Sequence, residues 1–117
     1  MKRKPKSISK LKKDADAVFS KWIRQRDRIC ITCNSEATQA GHYFSRRYNS
    51  IRFDPVNVNG QCMRCNVFLS GNIAVYRMKL VIKHGTEELK RLEDSYLEIK
   101  QFTKKELESI IEKYETH

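Results

Sequence analysis

Four cysteines and one histidine are the residues of this chain best suited to chemistry. The cysteines form two Cys-x-x-Cys pairs, Cys30 with Cys33 and Cys62 with Cys65, and His42 lies between the pairs. Four thiolates in two such pairs are the ligands of a tetrahedral structural zinc ion. The 28 residues between the pairs are more than a simple zinc ribbon needs. They leave room for a β-hairpin that carries a second, catalytic site.

Polar residues near His42 and the second cysteine pair could complete that site. A neutral imidazole can accept a proton from water at physiological pH. Asn66 and Asp54 offer the oxygen donors that a hard cation such as Mg²⁺ or Mn²⁺ prefers, and Asn57 offers a side-chain hydrogen bond. Each residue also has a plainer interpretation: His42 as a structural residue or an extra zinc ligand, Asn57 and Asp54 as turn residues, and Asn66 as a helix-start residue.

The positive charge of the chain is concentrated in its first 85 residues. The formal net charge is +10, and residues 1–85 carry 18 Lys and Arg against 5 Asp and Glu, whereas residues 86–117 carry 6 against 9. A field this positive around one site favours a polyanion, DNA or RNA. The cations predicted to contact phosphates are Arg46, Arg47, Arg52, Arg64, Arg77 and Lys79. For Arg46, Arg47 and Arg52 the alternative is a solvated loop.

Composition indicates one small domain in a reducing compartment. The 117 residues are 39% hydrophobic and 32% charged, so the core is small and a bound metal would add needed stability. We expect a cytoplasmic protein, because the basic N-terminus leads into a charged stretch without a signal-peptide core. No apolar run reaches membrane-spanning length, so no membrane partner is expected. In that compartment the cysteines are expected to bind metal, and two disulfides are the alternative.

Hydrophobic periodicity and capping residues predict an α+β fold. Its centre, a small zinc-stapled hairpin and helix, resembles the ββα-metal (HNH) core, and an N-terminal helix and C-terminal helices flank it. Ser9, Asn72 and Thr86 are predicted helix caps, and Thr103 with Glu106 a capping box. The predicted elements are helices over 9–28, 73–84, 86–99 and 103–114, a strand over 37–44 and a short return strand over 51–53.

The same pattern predicts three parts of the chain. Residues 1–8 are expected to be a flexible basic arm, residues 9–85 a zinc-stapled domain that includes the N-terminal helix and resembles HNH nucleases, and residues 86–117 a C-terminal helical extension. The apolar residues of the extension could form a dimer interface or could fold back on the core of their own chain. A homodimer is therefore a possible assembly.

Several short motifs resemble those of the NinG/Rap family of phage recombination proteins. The resemblance extends over roughly residues 9–100 and rests on Ala40-Gly41-His42-Tyr43, Arg52-Phe53, Asn57, Gln61-Cys62-x-x-Cys65-Asn66, Ser70-Gly71-Asn72 and Tyr76-Arg77. Their order is similar to that of ββα-metal (HNH) nucleases and, more distantly, to the phage T4 resolvase endonuclease VII. Family members often carry an extra N-terminal cysteine-containing segment, which is expected to be missing here.

The resemblance implies an endonuclease that acts on Holliday junctions and D-loops. It implies a His42 that activates water, a hydrogen-bonding Asn57 that orients the His42 ring, and an Asn66 that binds Mg²⁺ or Mn²⁺. The four cysteines would hold structural zinc. Two features depart from the wider HNH pattern, because Gly41 stands where a ligand usually precedes the catalytic His and Asn66 replaces the final His.

These departures leave two hypotheses. In the first, the chain is a metal-dependent nuclease; His42 is its base, or itself a metal ligand, and Asp54, water or phosphate oxygens complete the ligand set. In the second, the chain is a non-catalytic, zinc-containing module that binds DNA and recruits recombination or replication partners. Loss of cleavage without loss of junction binding in His42→Ala would favour the first.

Overall fold

The computed structural model describes residues 4–115 and has the predicted α+β composition. The two strands form one antiparallel sheet. A 3₁₀ turn over Asn49–Ile51 lies between the strands, and a π-helical turn over Arg64–Phe68 follows them. The helices and strands are α1 (Ile8–Arg26), β1 (Gln39–His42), β2 (Val58–Gln61), α2 (Ile73–His84), α3 (Thr86–Ser95) and α4 (Lys104–Glu115).

The N-cap of helix α1 lies two residues earlier in the chain than predicted. The Ser7 side chain accepts a hydrogen bond from the Lys10 amide at 3.1 Å, so Ser7 and not Ser9 is the N-cap. The helix ends at Arg26, where the Asp27 amide still bonds the Ile23 carbonyl. An i, i+4 spacing places one apolar stripe on the core; its buried members are Leu11, Ala15, Phe19 and Ile23.

The β-hairpin is built from a different return strand than predicted. Residues 51–53 do not form a strand; the partner of β1 is β2, and His42 lies opposite Val58 in the antiparallel register. All four residues of β2, Val58–Gln61, are buried. Asn59 and Gly60 are residue types that are depleted in strands, so the sequence of this segment does not indicate a strand.

A buried network of charged and amide groups holds β2 in place. Asp27 accepts hydrogen bonds from Arg26 and from the Gly60 amide, and it pairs with Lys83 at 3.0 Å. Burial opposes the charge on Asp27, but these hydrogen bonds outweigh it and lower its pKa to about 2. Asn59 is also fully buried, and its Oδ1 accepts from Arg26, Lys83 and His84. The network joins the end of α1, the hairpin and α2.

The caps of α2 and α3 differ from the predicted ones. Asn72 precedes α2 as expected, but its backbone is left-handed, with φ of 50°, and its side chain makes no capping hydrogen bond. Thr86 is the first residue of α3, and Gly85 precedes it with φ of 96°. The Thr103 and Glu106 capping box is confirmed, with reciprocal bonds of 3.0 and 3.1 Å.

The C-terminal helices fold back on their own chain. Leu92 of α3 packs with Tyr76 and Leu80 of α2, while Leu107 of α4 packs with Leu11 and Ala15 of α1. The structure thus shows that these helices pack on their own chain, and a homodimer stays a prediction. Residues 1–3 of the predicted arm lie outside the described residues. No helix within residues 4–115 is long and apolar enough to cross a membrane.

Candidate metal centre and catalytic cleft

The two cysteine pairs meet at one point and could hold a zinc ion. The four Sγ atoms lie within 4.8 Å of one another, and all four thiols are free. The Sγ atoms of Cys33 and Cys62 are 3.6 Å apart. Zinc–sulfur bonds of about 2.3 Å in a tetrahedron require sulfur atoms about 3.8 Å apart, so this spacing fits zinc. Cys30 and Cys65 are buried, which protects such a site from solvent.

Polar groups surround the four sulfurs. Cys30 Sγ lies 3.2 Å from Thr32 Oγ1, and Cys33 Sγ lies 2.9 Å from Ser35 Oγ. The Asn72 side chain approaches Cys65 Sγ at 3.8 Å. Hydroxyl and amide donors of this kind stabilise metal-bound thiolates. The hydroxyl side chains of Thr32 and Ser35, next to the first cysteine pair, are therefore suited to stabilise a bound metal.

His42 is positioned by the end of β1 and by one hydrogen bond. Its Nε2 lies 3.0 Å from the backbone carbonyl oxygen of Arg52. A carbonyl oxygen only accepts, so Nε2 must carry the proton, and in the neutral ring Nδ1 is left with a free lone pair. Burial lowers the pKa of His42 below its usual 6.5, outweighing the Arg52 carbonyl and Asp16, which raise it. The ring is therefore neutral near pH 7.

A cleft of about 370 Å³ brings His42 and Asn66 together. Asn66 belongs to the π-helical turn, and its Nδ2 donates to Gln39 Oε1 at 2.7 Å. This bond fixes the orientation of the amide and leaves Oδ1 as its free acceptor among residues 4–115. The other residues that line this cleft are Asp16, Phe19, Ser20, Ala40, Ser45 and Arg46.

Asp16 is a cleft residue that the sequence analysis missed. Its carboxylate forms a two-point ion pair with Arg52, including Arg52 Nε to Asp16 Oδ1 at 2.9 Å, and Arg46 lies 3.8 Å away. The partners are 36 residues apart in sequence, and no local motif links them. The Arg52 side chain is only 14% exposed. The predicted phosphate contact of Arg52 is therefore replaced by a structural ion pair that fixes the loop carrying the His42 partner.

Asn57 supports the loop rather than the ring of His42. It is fully buried, its Oδ1 accepts from the Phe44 amide at 2.9 Å, and its Nδ2 donates to the carbonyls of Phe44 and Ile51. The ring partner of His42 is the Arg52 carbonyl, so the expectation that Asn57 orients the ring directly is wrong. Asn57 affects His42 only indirectly, because it bonds both ends of the loop between Phe44 and Ile51.

The glycine at position 41 is required by its neighbours. A Cβ atom there would lie 1.9 Å from Gln61 Oε1, and the Gly41 carbonyl accepts a 2.6 Å hydrogen bond from buried Tyr76. No side chain fits without moving Gln61. The missing ligand before His42 is thus a consequence of packing in the hairpin.

Asp54 lies apart from the cleft. Its carboxylate accepts from Arg91 at 2.6 and 3.2 Å and from the Val56 amide at 2.9 Å. It lines a different cavity, with Arg91, and not the cleft of His42. The sequence-based suggestion that Asp54 completes a magnesium site with His42 is therefore not supported by the fold, and Asp54 is a turn former with an arginine partner.

The other side chains predicted to contact DNA differ in their solvent exposure and in their pairing with other residues. Arg46, Arg47 and Arg64 are exposed, although Arg47 also packs over the Tyr48 ring. Arg77 lies 3.7 Å from Glu93 in a half-exposed pair. Lys79 is half-buried in a groove beside the first cysteine pair. These side chains can reach a phosphate without breaking a buried interaction.

Comparison with known proteins agrees with the motifs around this cleft. The family model described as "Bacteriophage Lambda NinG protein" matches residues 1–117. Proteins named ninG from Escherichia phage 933W and Escherichia phage lambda are 36% and 34% identical over 90 residues, 72% of this chain. The chain spans less than half the length of these relatives, 45% and 44%. No solved structure matches. The chain belongs to the NinG family.

Proposed function

We propose that the chain is a divalent-metal-dependent endonuclease that cuts branched DNA, such as Holliday junctions and D-loops. The observation that carries this proposal is the hydrogen bond from His42 Nε2 to the Arg52 carbonyl. It leaves Nδ1 as a proton acceptor on a neutral ring, beside a cleft that also contains Asn66. A general base requires a ring nitrogen with a free lone pair, and this hydrogen bond leaves Nδ1 in that state.

In the proposed reaction, His42 Nδ1 removes a proton from a water molecule, and the resulting hydroxide attacks the phosphorus in line with the departing oxygen. The proton stays on the imidazole, where the Asp16 carboxylate favours the charged ring. The phosphodiester bond breaks, and the departing strand end takes a proton from solvent. Arg46, exposed at the rim of the cleft, offers a cation to the phosphate.

A divalent ion would supply charge neutralisation at the phosphate. Asn66 Oδ1 is the oxygen donor that this chain offers for such an ion, and Asp16 is engaged with Arg52. Within residues 4–115 the four cysteines form the one cluster of three or more Cys, His, Asp and Glu ligands. A magnesium ion held by Asn66 would have to take its other ligands from DNA oxygens and water. The small number of oxygen ligands in the cleft also favours the second candidate function, a zinc-containing DNA-binding module without catalysis.

A cleavage assay separates the two functions. A four-way junction, labelled in each strand, and a linear duplex of matched sequence are incubated with the chain in Mg²⁺, in Mn²⁺ and without added ion. We expect nicks near the branch point in the presence of either ion, little cutting of the duplex and none without the ion. Junction binding with no nicks in either ion would identify the binding module instead.

The pH dependence of the cleavage rate tests the role of the His42 ring. Because the base must be neutral and its pKa is lowered by burial, the rate should stay level from pH 8 to about 7 and fall only when the pH drops below 6.5. The charged groups near the ring are Asp16, Arg46 and Arg52. Single-turnover rates measure this midpoint. A midpoint above 6.5 would be inconsistent with a buried neutral base.

A further inference from the structure

Apolar side chains lie exposed on the turn that follows the second cysteine pair. Phe68 is 74% exposed, and its apolar neighbours are between 42% and 54% exposed. We call this group the apolar ridge; its members are Met63, Val67, Phe68, Leu69 and Ile73. Large apolar residues grouped on a surface mark a site of interaction.

Charge indicates what kind of partner the ridge meets. From Pro55 to Thr86 the sequence has no Asp or Glu, and it has four Lys and Arg residues. One of them, Arg64, is exposed and lies four residues before Phe68, on the same face of the turn. An aromatic ring beside a guanidinium, in a segment without carboxylates, is complementary to a nucleic acid: the cation meets phosphate and the ring meets a base.

The ridge also lies close to the proposed site of cleavage. Phe68 and Asn66 belong to the same π-helical turn, Arg64–Phe68. Residues two apart in a helical turn have Cα atoms roughly 5 Å apart. Asn66 points inward to Gln39 and the cleft, whereas Phe68 points to solvent. A DNA branch that contacts the cleft therefore meets this turn, whose solvent side carries the ridge.

We infer that the apolar ridge is a wedge, led by Phe68, that inserts at an unstacked base step of a DNA branch point. Apolar side chains of these types separate base steps in other DNA-binding proteins. A branch point already has disrupted stacking, so insertion costs less there than in a continuous duplex. The wedge thus gives preference for branched DNA without reading sequence. This inference rests on the proposed nuclease function, whose substrate it specifies.

The test uses a four-way junction with 2-aminopurine, a base whose fluorescence rises when it is unstacked, at the branch point. The intact chain should raise the fluorescence, and Phe68→Ala should abolish the rise and weaken junction binding about tenfold. Binding to a linear duplex should change less than twofold. Phe68→Trp should restore both signals. Ile82→Ala, at a 77% exposed apolar residue of α2 outside the ridge, is the matched control and should behave as the intact chain.

Two results would overturn the wedge. One is a 2-aminopurine signal and junction affinity that Phe68→Ala leaves unchanged. The other is a change of oligomeric state in Phe68→Ala, measured by light scattering, without a change in the 2-aminopurine signal, which would make the ridge a contact between copies. The nuclease proposal can fail while the wedge holds. A chain that never cuts DNA, but whose Phe68 still unstacks the branch point, would contradict the nuclease proposal and support the wedge.

Discussion

Replacing His42 by alanine is expected to reduce the rate of junction cleavage by about 10³-fold while leaving junction binding within twofold. General-base catalysis contributes 10²–10⁴-fold in enzymes of known mechanism. The side chain makes one hydrogen bond, to the Arg52 carbonyl, and it is not part of the buried apolar clusters. Its loss should therefore affect chemistry more than folding. Single-turnover cleavage and gel-shift affinity are measured on the same preparations.

Two further variants separate the base from the scaffold. His42→Gln can still donate a hydrogen bond to the Arg52 carbonyl but offers no basic nitrogen, so it should be as inactive as His42→Ala. Added imidazole should partly restore cleavage by His42→Ala, because the removed side chain leaves space in the cleft for a small base. His84→Ala is the matched control: its ring bonds Asn59 in the buried network, away from the cleft, and cleavage should persist.

Some results would contradict a catalytic His42. If His42→Gln cleaved at the rate of the intact chain, the ring would serve only as a donor to the Arg52 carbonyl. If His42→Ala lost binding and cleavage together, and circular dichroism showed a changed fold, the residue would be structural. Cleavage that survives in His42→Ala would point to a contaminating nuclease or to another base.

The parts of the site that follow from local spacing could be predicted from the sequence. Two Cys-x-x-Cys turns bring their sulfurs together wherever a hairpin joins them, and His42 at the end of β1 follows from the strand that leads to it. The return strand could not be predicted, because β2 is polar yet covered on both faces. Its Asn59 is satisfied by groups from α1 and α2, which no local pattern reveals.

The sequence left the roles of Arg52 and Asp54 open for one shared reason. Neighbours in sequence allowed Arg52 to be a phosphate contact or part of a solvated loop, and Asp54 to be a metal ligand or a turn residue. Each is in fact paired with a residue 36 or 37 positions away, Asp16 and Arg91. Long-range ion pairs decide whether a charged side chain is free to act, and only the tertiary fold determines them. The missed role of Asp16 is the other half of the same pair.

Removal of the metal is the second large effect that we expect, and it acts on stability. The four cysteines join the segment after α1 to the segment between β2 and α2, so a bound zinc ion would fix both sides of the hairpin. Zinc binding in small domains is worth about 10–16 kcal/mol in total, whereas a domain of this size has a net stability of about 5–15 kcal/mol. Losing the ion should therefore unfold at least the hairpin.

Chelation and substitution of a cysteine should give the same result. The isolated chain should contain one zinc ion by native mass spectrometry, and a strong chelator or Cys65→Ser should lower the melting temperature by roughly 20 °C or more. Ser35→Ala removes only the hydroxyl that contacts Cys33 Sγ. As the matched control it should keep the ion, with affinity reduced about 10–100-fold.

The alternative of two disulfides makes the opposite prediction for each measurement. Disulfide-bonded cysteines would leave the chain metal-free, give a mass four hydrogens lower and make its melting temperature sensitive to reductant but not to chelator. The geometry argues against this, because disulfide sulfurs lie about 2.05 Å apart, whereas all four thiols are free and the Sγ atoms of Cys33 and Cys62 are 3.6 Å apart. His42 lies on β1 and Asn66 on the turn that follows β2, so both depend on the hairpin that the ion would hold. A chain without its ion should therefore also lose cleavage, even with magnesium present. Full cleavage by a zinc-free chain would show that the hairpin holds the cleft together unaided.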